Sequence, residues 1–254
     1  MTDLPLVHLV RDGAVGEIVI NRPAKMNTLT PEMFGLLQQV CAEADGDDGL
    51  HALILRGAGE RAFSAGTDVN TLKDYEDFWA WRNRVDYVTQ IRSLKKPIIA
   101  AIRGWALGGG LELAAACDIR IAATDATFAA PEVQLGWIGA GGTSQFLPRL
   151  IGYGQAMRLL VTGNRIGADE ALRIGLIEEL CAPGEELVRA REMARQIASY
   201  SPVATMAVKA AVRASLHGNL ELGLRIENEL MALCFAKGGD KDGAALFAGR
   251  ERDN

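Results

Sequence analysis

Cysteine and histidine are scarce in this 254-residue chain, and each scarcity narrows the kinds of protein to consider. The four cysteines are widely spaced with no Cys-x-x-Cys pair, so they are expected to be reduced thiols of a cytoplasmic protein rather than a disulfide framework. The three histidines are equally scattered, and no metal centre is expected from them. These residues are Cys41, Cys117, Cys181, Cys234, His8, His51 and His217.

Positive charge and long apolar runs are also lacking. The formal net charge of −5 disfavours a general binder of nucleic acid or of an anionic membrane surface. No apolar run approaches the roughly 20 residues of a membrane-spanning helix. The remaining composition, 49% hydrophobic and 23% charged, is sufficient for one large domain or for a domain with a helical appendage.

Apolar segments that alternate with glycine turns and helical patterns predict an α/β fold with parallel strands. The predicted strands are 17–20, 52–55, 97–102 and 119–122. Thr30 and Pro31 predict the start of a helix, and Phe78, Trp81, Val85 and Val88 predict the core face of a second one. After Gly152 the pattern becomes helical. Asn219 begins a helix there with an apolar stripe of Leu222, Ile226, Leu230 and Leu233.

The most informative segment is the glycine run 108–110, which follows a predicted buried strand and runs into Glu112. A helix is predicted to begin near Leu113. Glycines let the backbone approach a ligand closely, and the N-terminus of a helix presents unpaired N–H groups with a partial positive charge. The segment therefore predicts main-chain donors for a developing oxyanion, with a carboxylate one turn away. Its apolar neighbours indicate that Glu112 is buried, which would raise its pKa toward neutrality.

A second carboxylate, Glu132, precedes another glycine-rich loop at 139–142. By itself it is equally well explained as a charge at the start of a helix that interacts with the helix dipole. Together with Glu112 and the glycine run, it indicates acid–base chemistry next to a polarised carbonyl.

The segment 57–68 allows three interpretations. It lacks the lysine of a phosphate-binding loop, so that interpretation fails. The order Ala62-Phe63-Ser64-Ala65-Gly66 is close to a hydrolase nucleophile elbow, in which Ser64 and His217 would serve a triad. An elbow follows its strand directly, however, whereas about eight residues separate Ser64 from the strand here. The favoured interpretation is a turn that exposes backbone N–H groups near Gly66 and Thr67.

Five blocks of this sequence resemble the enoyl-CoA hydratase/isomerase superfamily, the crotonases. They are residues 21–27, 62–68, 104–113, 117–122 and 131–133 with the glycine loop that follows, in the family's order and spacing. The resemblance covers nearly the whole chain. It implies a spiral of ββα units in residues 1–195 that carries the active site, and a helical region in residues 196–254 through which the chain forms a homotrimer or a hexamer.

The resemblance also implies residue roles. Two glutamates would act as acid and base, two backbone N–H groups would form an oxyanion hole for a thioester carbonyl, and further residues would bind the acyl-CoA. No cofactor beyond the coenzyme A of the substrate is implied. The acid and base would be Glu112 and Glu132, and the oxyanion hole would be formed by the N–H groups of Thr67 and Gly109. The acyl-CoA would be bound by Lys25, Met26, Ala65, Gly66, Asp68 and Trp137.

The implied activity is hydration of an enoyl-CoA, since hydratases have both glutamates. A double-bond isomerase, which needs only one carboxylate such as Glu132, is the alternative, followed by a thioester hydrolase. Some relatives bind RNA through a lysine-rich helix, but the corresponding stretch 74–92 mixes acidic with basic residues.

Three features depart from the family pattern. A threonine stands at position 67, loop 135–142 is shorter and lacks a proline, and the final segment 247–254 is short. Trp137 in that loop is expected either to line the acyl pocket or to pack in the core.

Overall fold

Apolar segments rich in isoleucine, leucine and alanine form the strands of the computed structural model, which describes residues 4–238. In chain order the strands are β1 (Val7–Asp12), β2 (Val15–Ile20), β3 (Ala52–Gly57), β4 (Ala62–Ser64), β5 (Ile98–Ile102), β6 (Trp105–Leu107), β7 (Ile119–Ala123), β8 (Thr127–Ala129), β9 (Ile166–Gly167) and β10 (Glu179–Cys181). All four segments that the sequence predicts as strands coincide with strands of this set, apart from residue 97, which precedes β5, and the four strands are therefore confirmed.

Helices connect and cover these strands. They are α1 (Pro31–Gly46), α2 (Phe78–Arg82), α3 (Tyr87–Ser93), α4 (Gly109–Ala116), α5 (Thr143–Thr162), α6 (Ala168–Arg173), α7 (Glu186–Ala198), α8 (Pro202–Ser215) and α9 (Leu220–Ala236). Short 3-10 helices occupy Pro23–Lys25, Val69–Asp74 and Pro131–Leu135. Within residues 4–238, no helix is both long and apolar enough to cross a membrane.

The strands form two sheets, and the chain passes repeatedly from one to the other. The larger sheet has the order β1-β2-β3-β5-β7-β10, and the smaller has the order β4-β6-β8-β9. Pairing is parallel except between β1 and β2 and between β8 and β9. The strands β3–β4, β5–β6 and β7–β8 form three consecutive pairs. The first strand of each pair belongs to the larger sheet and the second to the smaller sheet, and helical structure follows each pair. This succession is the spiral of ββα units that the sequence resemblance implies.

Alternation along the strands gives the larger sheet two buried faces. In β3, Leu53 and Leu55 face the main core, whereas Ile54 faces a smaller core on the other side. There the sheet packs against α7 through Ala190 and Ala194, whose small side chains allow close approach. The division expected after residue 195 falls within the last turn of α7. A separate oligomerisation region therefore remains a proposal.

The predicted helix with Phe78, Trp81, Val85 and Val88 on one buried face is wrong. The chain forms two short helices here: α2 ends at Arg82, and Asp86 caps the separate helix α3 by accepting a hydrogen bond from the Val88 N–H. Val88 is buried, but the Phe78 side chain is 92% exposed. Tyr87, just after the cap, is buried in the main core.

Helix α4 begins four residues earlier than expected, at Gly109 rather than near Leu113, with Gly108 as its N-cap. The cap at Asn219 is confirmed, since its side chain accepts a hydrogen bond from the Leu222 N–H at the start of α9. The apolar stripe of that helix is only partly covered in the single chain, since Leu222 is 50% exposed, Leu233 is 49% exposed and no residue of α9 is buried. The final segment 247–254 lies outside the described residues.

Candidate active site

The loop after β4, which contains Gly66 and Thr67, packs against the start of α4 at Gly109. This contact brings the backbone N–H groups of Thr67 and Gly109 close together. A Cβ atom on Gly66 would lie 2.9 Å from the Gly109 nitrogen and 2.8 Å from the Leu107 carbonyl oxygen, so no larger residue fits between the loops. Gly109 lies in the first turn of α4, where N–H groups lack intrahelical partners. Among residues 4–238, neither its N–H nor that of Thr67 has a hydrogen-bond acceptor. Two neighbouring free donors suit an oxygen that gains negative charge.

The residues expected to bind coenzyme A lie in or next to the loop that contains Gly66 and Thr67. The Ala65 N–H donates to the Met26 carbonyl oxygen at 2.9 Å, and the exposed Lys25 precedes Met26. The Asp68 carboxylate accepts a hydrogen bond from the Arg22 guanidinium at 2.8 Å, and this bond lowers the pKa of Asp68. The fold therefore brings Met26 and Ala65 together with Lys25 beside them, while Asp68 already has an internal partner that fixes the loop.

Glu112 is buried in the first turn of α4, with only 2% of its surface exposed. One carboxylate oxygen, Oε2, accepts a hydrogen bond from the Tyr87 hydroxyl at 2.5 Å, and Oε1 accepts one from the Gly141 N–H at 2.7 Å. Burial raises the pKa of Glu112 above its ordinary value, while the two hydrogen bonds oppose that rise. The carboxylate is thus both desolvated and held at its two oxygens.

Glu132 lies in the 3-10 helix that follows β8 and points to the same place. Its Oε1 lies 3.6 Å from the position of a Cβ atom on Gly139, and Glu112 Oε1 lies 2.7 Å from that same point. Glu132 Oε1 is also 3.1 Å from the corresponding position on Gly108, which places it beside the backbone donors. Burial, and secondarily the charge of Glu112, raises the pKa of Glu132. Two carboxylates this close titrate as a coupled pair.

The glycine loop 139–142 is needed to bring the two carboxylates together. A Cβ atom on Gly141 would lie 2.3 Å from Glu112 Oε2, so a side chain there would displace the carboxylate. Trp137, just before this loop, is 45% exposed, which weighs against the core-packing interpretation. Its N–H donates to the Glu132 carbonyl oxygen at 3.2 Å, so it stands next to the acidic pair.

Ser64 does not form a catalytic triad. Its buried hydroxyl donates to the Asn27 carbonyl oxygen at 2.8 Å, whereas His217 lies at the end of α8 with its Nε2 3.3 Å from an Arg92 nitrogen. Asn27 instead organises this region, since its amide also donates to the Ala62 carbonyl oxygen at 2.7 Å. Buried polar residues of this kind stabilise loops when all their hydrogen bonds are satisfied.

Tyr87 is the site residue that sequence reasoning missed. It falls within the segment that the sequence predicts as one continuous helix, in which its neighbour Val88, and not Tyr87, belongs to the predicted core face. The aspartate before it, Asp86, is the one local sign of a new helix start at this point. No local pattern reveals that the Tyr87 hydroxyl reaches Glu112, which lies 25 positions further along the chain.

A buried and a half-buried carboxylate beside two free backbone donors form the arrangement of an enzyme that moves protons next to a polarised carbonyl. The sequence comparison agrees with that class. Residues 11–253 match the enoyl-CoA hydratase/isomerase family, and the chain belongs to it.

Individual relatives are similar over nearly their full length. The chain is 38% identical to the short-chain-enoyl-CoA hydratase of Clostridium acetobutylicum, covering 96% of this chain and 95% of that protein. It is 36% identical to the crotonyl-CoA hydratase of Syntrophomonas wolfei, covering 98% and 96%. The crystal structure of an enoyl-CoA hydratase from Bacillus anthracis superposes with a TM-score of 0.90 at 33% identity, covering 97% of each chain. The crotonase fold implied by the sequence is therefore confirmed.

The adjacent glycines of α4 should respond differently to alanine. A Cβ atom on Gly110 would lie 2.0 Å from the Ser64 carbonyl oxygen, so Gly110→Ala should lower the free energy of unfolding by about 2 kcal/mol or more. On Gly109 it would lie 2.6 Å from the Tyr87 hydroxyl oxygen. Gly109→Ala should therefore reduce kcat about 100-fold while the protein still folds. Urea unfolding and steady-state kinetics measure the two effects.

Gly154→Ala is the matched control, because a Cβ atom on this helical glycine of α5 meets nothing within 4 Å. It should leave stability and kcat within experimental error or raise stability slightly. Full activity in Gly109→Ala would show that this backbone donor is not aimed at the reacting group.

Proposed function

We propose that this protein is an enoyl-CoA hydratase, which adds water across the 2,3 double bond of an enoyl-CoA thioester. The observation that carries the proposal is the pair of carboxylates, Glu112 buried and Glu132 half-buried, whose Oε1 atoms lie 2.7 and 3.6 Å from one common point. Water and a double bond placed between them would have a proton acceptor and a proton donor within reach. The names of the two hydratase relatives support the same reaction.

The backbone donors supply the electrostatic part of the reaction. In this proposal the N–H groups of Thr67 and Gly109 donate to the thioester oxygen, which gains negative charge as water adds and the enolate forms. The Ala65 carbonyl accepts from the adenine amino group, and Lys25 and Met26 line the path of coenzyme A. Gly66, Asp68 and Trp137 complete the predicted binding residues. The hydrogen bond between Ala65 and Met26 supports this placement because it joins the two binding segments.

The hydrogen bonds of the two glutamates support a division of their roles. Glu112 accepts a hydrogen bond at each oxygen, which favours its ionised form. Glu132 Oε2 is buried with no hydrogen-bond partner among the described residues, which favours its protonated form. Glu112 therefore takes a proton from water as the water oxygen bonds to C3. Glu132 then gives its proton to C2, and the enolate electron pair forms the new C–H bond.

Isomerisation of the double bond is the alternative, since it moves one proton between carbons and needs one carboxylate. Hydrolysis of the thioester ranks third. The buried position of Glu112 favours hydration, because an isomerase that used Glu132 alone would have no use for a second desolvated carboxylate.

No cofactor is included in the proposed reaction, and neither nucleic acid nor a membrane is included among the proposed partners. The proposed location is the cytoplasm.

Glu112→Gln and Glu132→Gln should each reduce the hydration of crotonyl-CoA about 100-fold or more, because each removes a proton-transfer group while conserving shape. Binding of a saturated acyl-CoA, measured by calorimetry, should change little. Glu43→Gln, a change in a half-exposed surface carboxylate of α1, is the matched control and should retain full activity. Near-normal turnover in Glu112→Gln on the true substrate would make isomerisation the better proposal. Near-normal turnover in both variants would remove the acid–base assignment.

We also propose that the chain assembles into a homotrimer or a hexamer of two trimers. Apolar side chains on α8 and α9 are exposed in the single chain, and a cavity of about 670 Å³ lies between α8 and the core. Large exposed apolar surfaces are uncommon on monomers, and closed cyclic symmetry is the usual way to cover them. The residues concerned are Val208, Val212, Leu216, Leu222, Leu224, Met231, Leu233 and Phe235.

Light scattering at micromolar concentration should give a mass near three or six times 27.2 kDa. Replacing two exposed apolar residues of α9, as in Leu222→Glu/Leu233→Glu, should dissociate the assembly because each carboxylate would be buried without a partner. A wild-type protein that remains monomeric at that concentration would contradict the proposed assembly.

A further inference from the structure

The hydroxyl of Tyr87 occupies a central position between the two halves of the site. Its ring is buried and stacks on Phe34 of α1 with ring centroids 4.8 Å apart, so the hydroxyl is held in place by packing. That hydroxyl donates to Glu112 Oε2 at 2.5 Å. Burial raises the pKa of Tyr87, and the Thr67 side chain, on the loop that packs against Gly109, acts to lower it. The Tyr87 hydroxyl also lies 2.6 Å from the point that a Cβ atom on Gly109 would occupy. One phenolic oxygen thus contacts the proposed base and lies beside the backbone segments that carry the proposed oxyanion hole.

We propose that the hydroxyls of Thr67 and Tyr87 form a directed hydrogen-bond chain that positions Glu112 as the base, with Tyr87 as a positioning residue. The inference rests on the proposed function and adds two side-chain roles to it. Thr67 would then serve twice, through its backbone N–H at the thioester oxygen and through its hydroxyl toward the base.

The direction of the chain follows from the donors available. An ionised carboxylate only accepts, so the single Tyr87 proton points to Glu112 Oε2. The Tyr87 oxygen is then free to accept, and in the proposed chain it accepts from the Thr67 hydroxyl, which agrees with the lowering effect of Thr67 on the pKa of Tyr87. Such chains are cooperative, because a hydroxyl that accepts a hydrogen bond becomes a stronger donor. The Thr67 hydroxyl therefore strengthens the bond between Tyr87 and Glu112.

The chain has a consequence for the pH dependence of the reaction. The Tyr87 hydrogen bond lowers the pKa of Glu112 against the larger effect of burial. The other groups that act on Glu112 are the Gly141 N–H and Arg84, which lower its pKa, and Asp86, which raises it. Glu132 faces it across the site. All of these remain in Tyr87→Phe. Removing the hydroxyl should therefore raise the pKa of Glu112, so the ionised base is lost at a higher pH as the solution is acidified.

The test compares kcat across pH in Tyr87→Phe, Thr67→Val, Thr67→Ser and the double variant Tyr87→Phe/Thr67→Val. Tyr87→Phe keeps the ring and its stacking. It should reduce kcat about 10- to 100-fold, the range expected for a hydrogen bond to a charged group, with KM little changed. The acid limb of its kcat profile should move to higher pH. Thr67→Val should move that limb less in the same direction, and Thr67→Ser, which keeps a hydroxyl, should leave the limb at the wild-type pH.

Non-additivity identifies the chain. If Thr67 acts through Tyr87, Thr67→Val should have no further effect on the limb in the Tyr87→Phe background. Tyr200→Phe is the matched control, because it removes another hydrogen-bonded hydroxyl, one that accepts from Gln196 on the exposed end of α7. It should leave the profile unchanged. If Tyr87→Phe does not fold, Thr67→Val and Thr67→Ser still supply the comparison with an intact aromatic ring.

An infrared titration of the substrate-free protein gives a readout that is independent of turnover. The band of the protonated Glu112 carboxyl, identified by its loss in Glu112→Gln, should have a titration midpoint at higher pH in Tyr87→Phe than in the wild type. An unchanged midpoint and acid limb in a folded Tyr87→Phe variant would overturn the inference, as would additive effects of Thr67→Val. Failure of the wild type to hydrate any enoyl-CoA would instead overturn the proposed function, and the infrared result would still test the chain.

Discussion

The burial of Glu112 is the constraint on which the rest of the site depends. Its neighbours Leu111 and Leu113 are fully buried, so an ionised carboxylate here loses its water shell at a cost of several kcal/mol. The Tyr87 hydroxyl and the Gly141 N–H replace part of that hydration, each at one oxygen. The same burial that makes the group costly keeps its pKa above that of a solvated glutamate, which suits proton transfer near neutral pH.

Backbone approach is the second requirement, and it explains the distribution of glycine. Gly66 lets the Thr67 loop touch the start of α4, and Gly141 lets the 139–142 loop donate an N–H to Glu112. The ββα spiral brings these segments together because they follow neighbouring strands of the smaller sheet. The Gly66 loop follows β4, helix α4 follows β6, and the 139–142 loop follows β8 and its 3-10 helix. Helix α4 then starts at the point where the loops meet, so its free N–H groups and its first-turn glutamate face one space.

Local chemistry predicted much of this arrangement, and long-range contacts decided the rest. The four strands and the cap at Asn219 follow from apolar patterning and capping, and both are confirmed. The helix through Phe78 was wrong because the cap at Asp86 outweighs apolar periodicity. The family resemblance assigned Glu112 and Glu132, and the fold places them together. Tyr87 could not be assigned in this way, because its partner lies far along the chain.

In the proposed reaction, water adds to carbon 3 while a solvent-derived proton adds to carbon 2. Incubation of a short-chain 2-enoyl-CoA with the protein in ¹⁸O-labelled D₂O, followed by mass spectrometry and NMR of the thioester, tests both steps at once. Hydration by this route should give a 3-hydroxyacyl-CoA that carries one ¹⁸O at C3 and one deuteron at C2. A product of unchanged oxygen content with a shifted double bond, or a free acid released with coenzyme A, would contradict it.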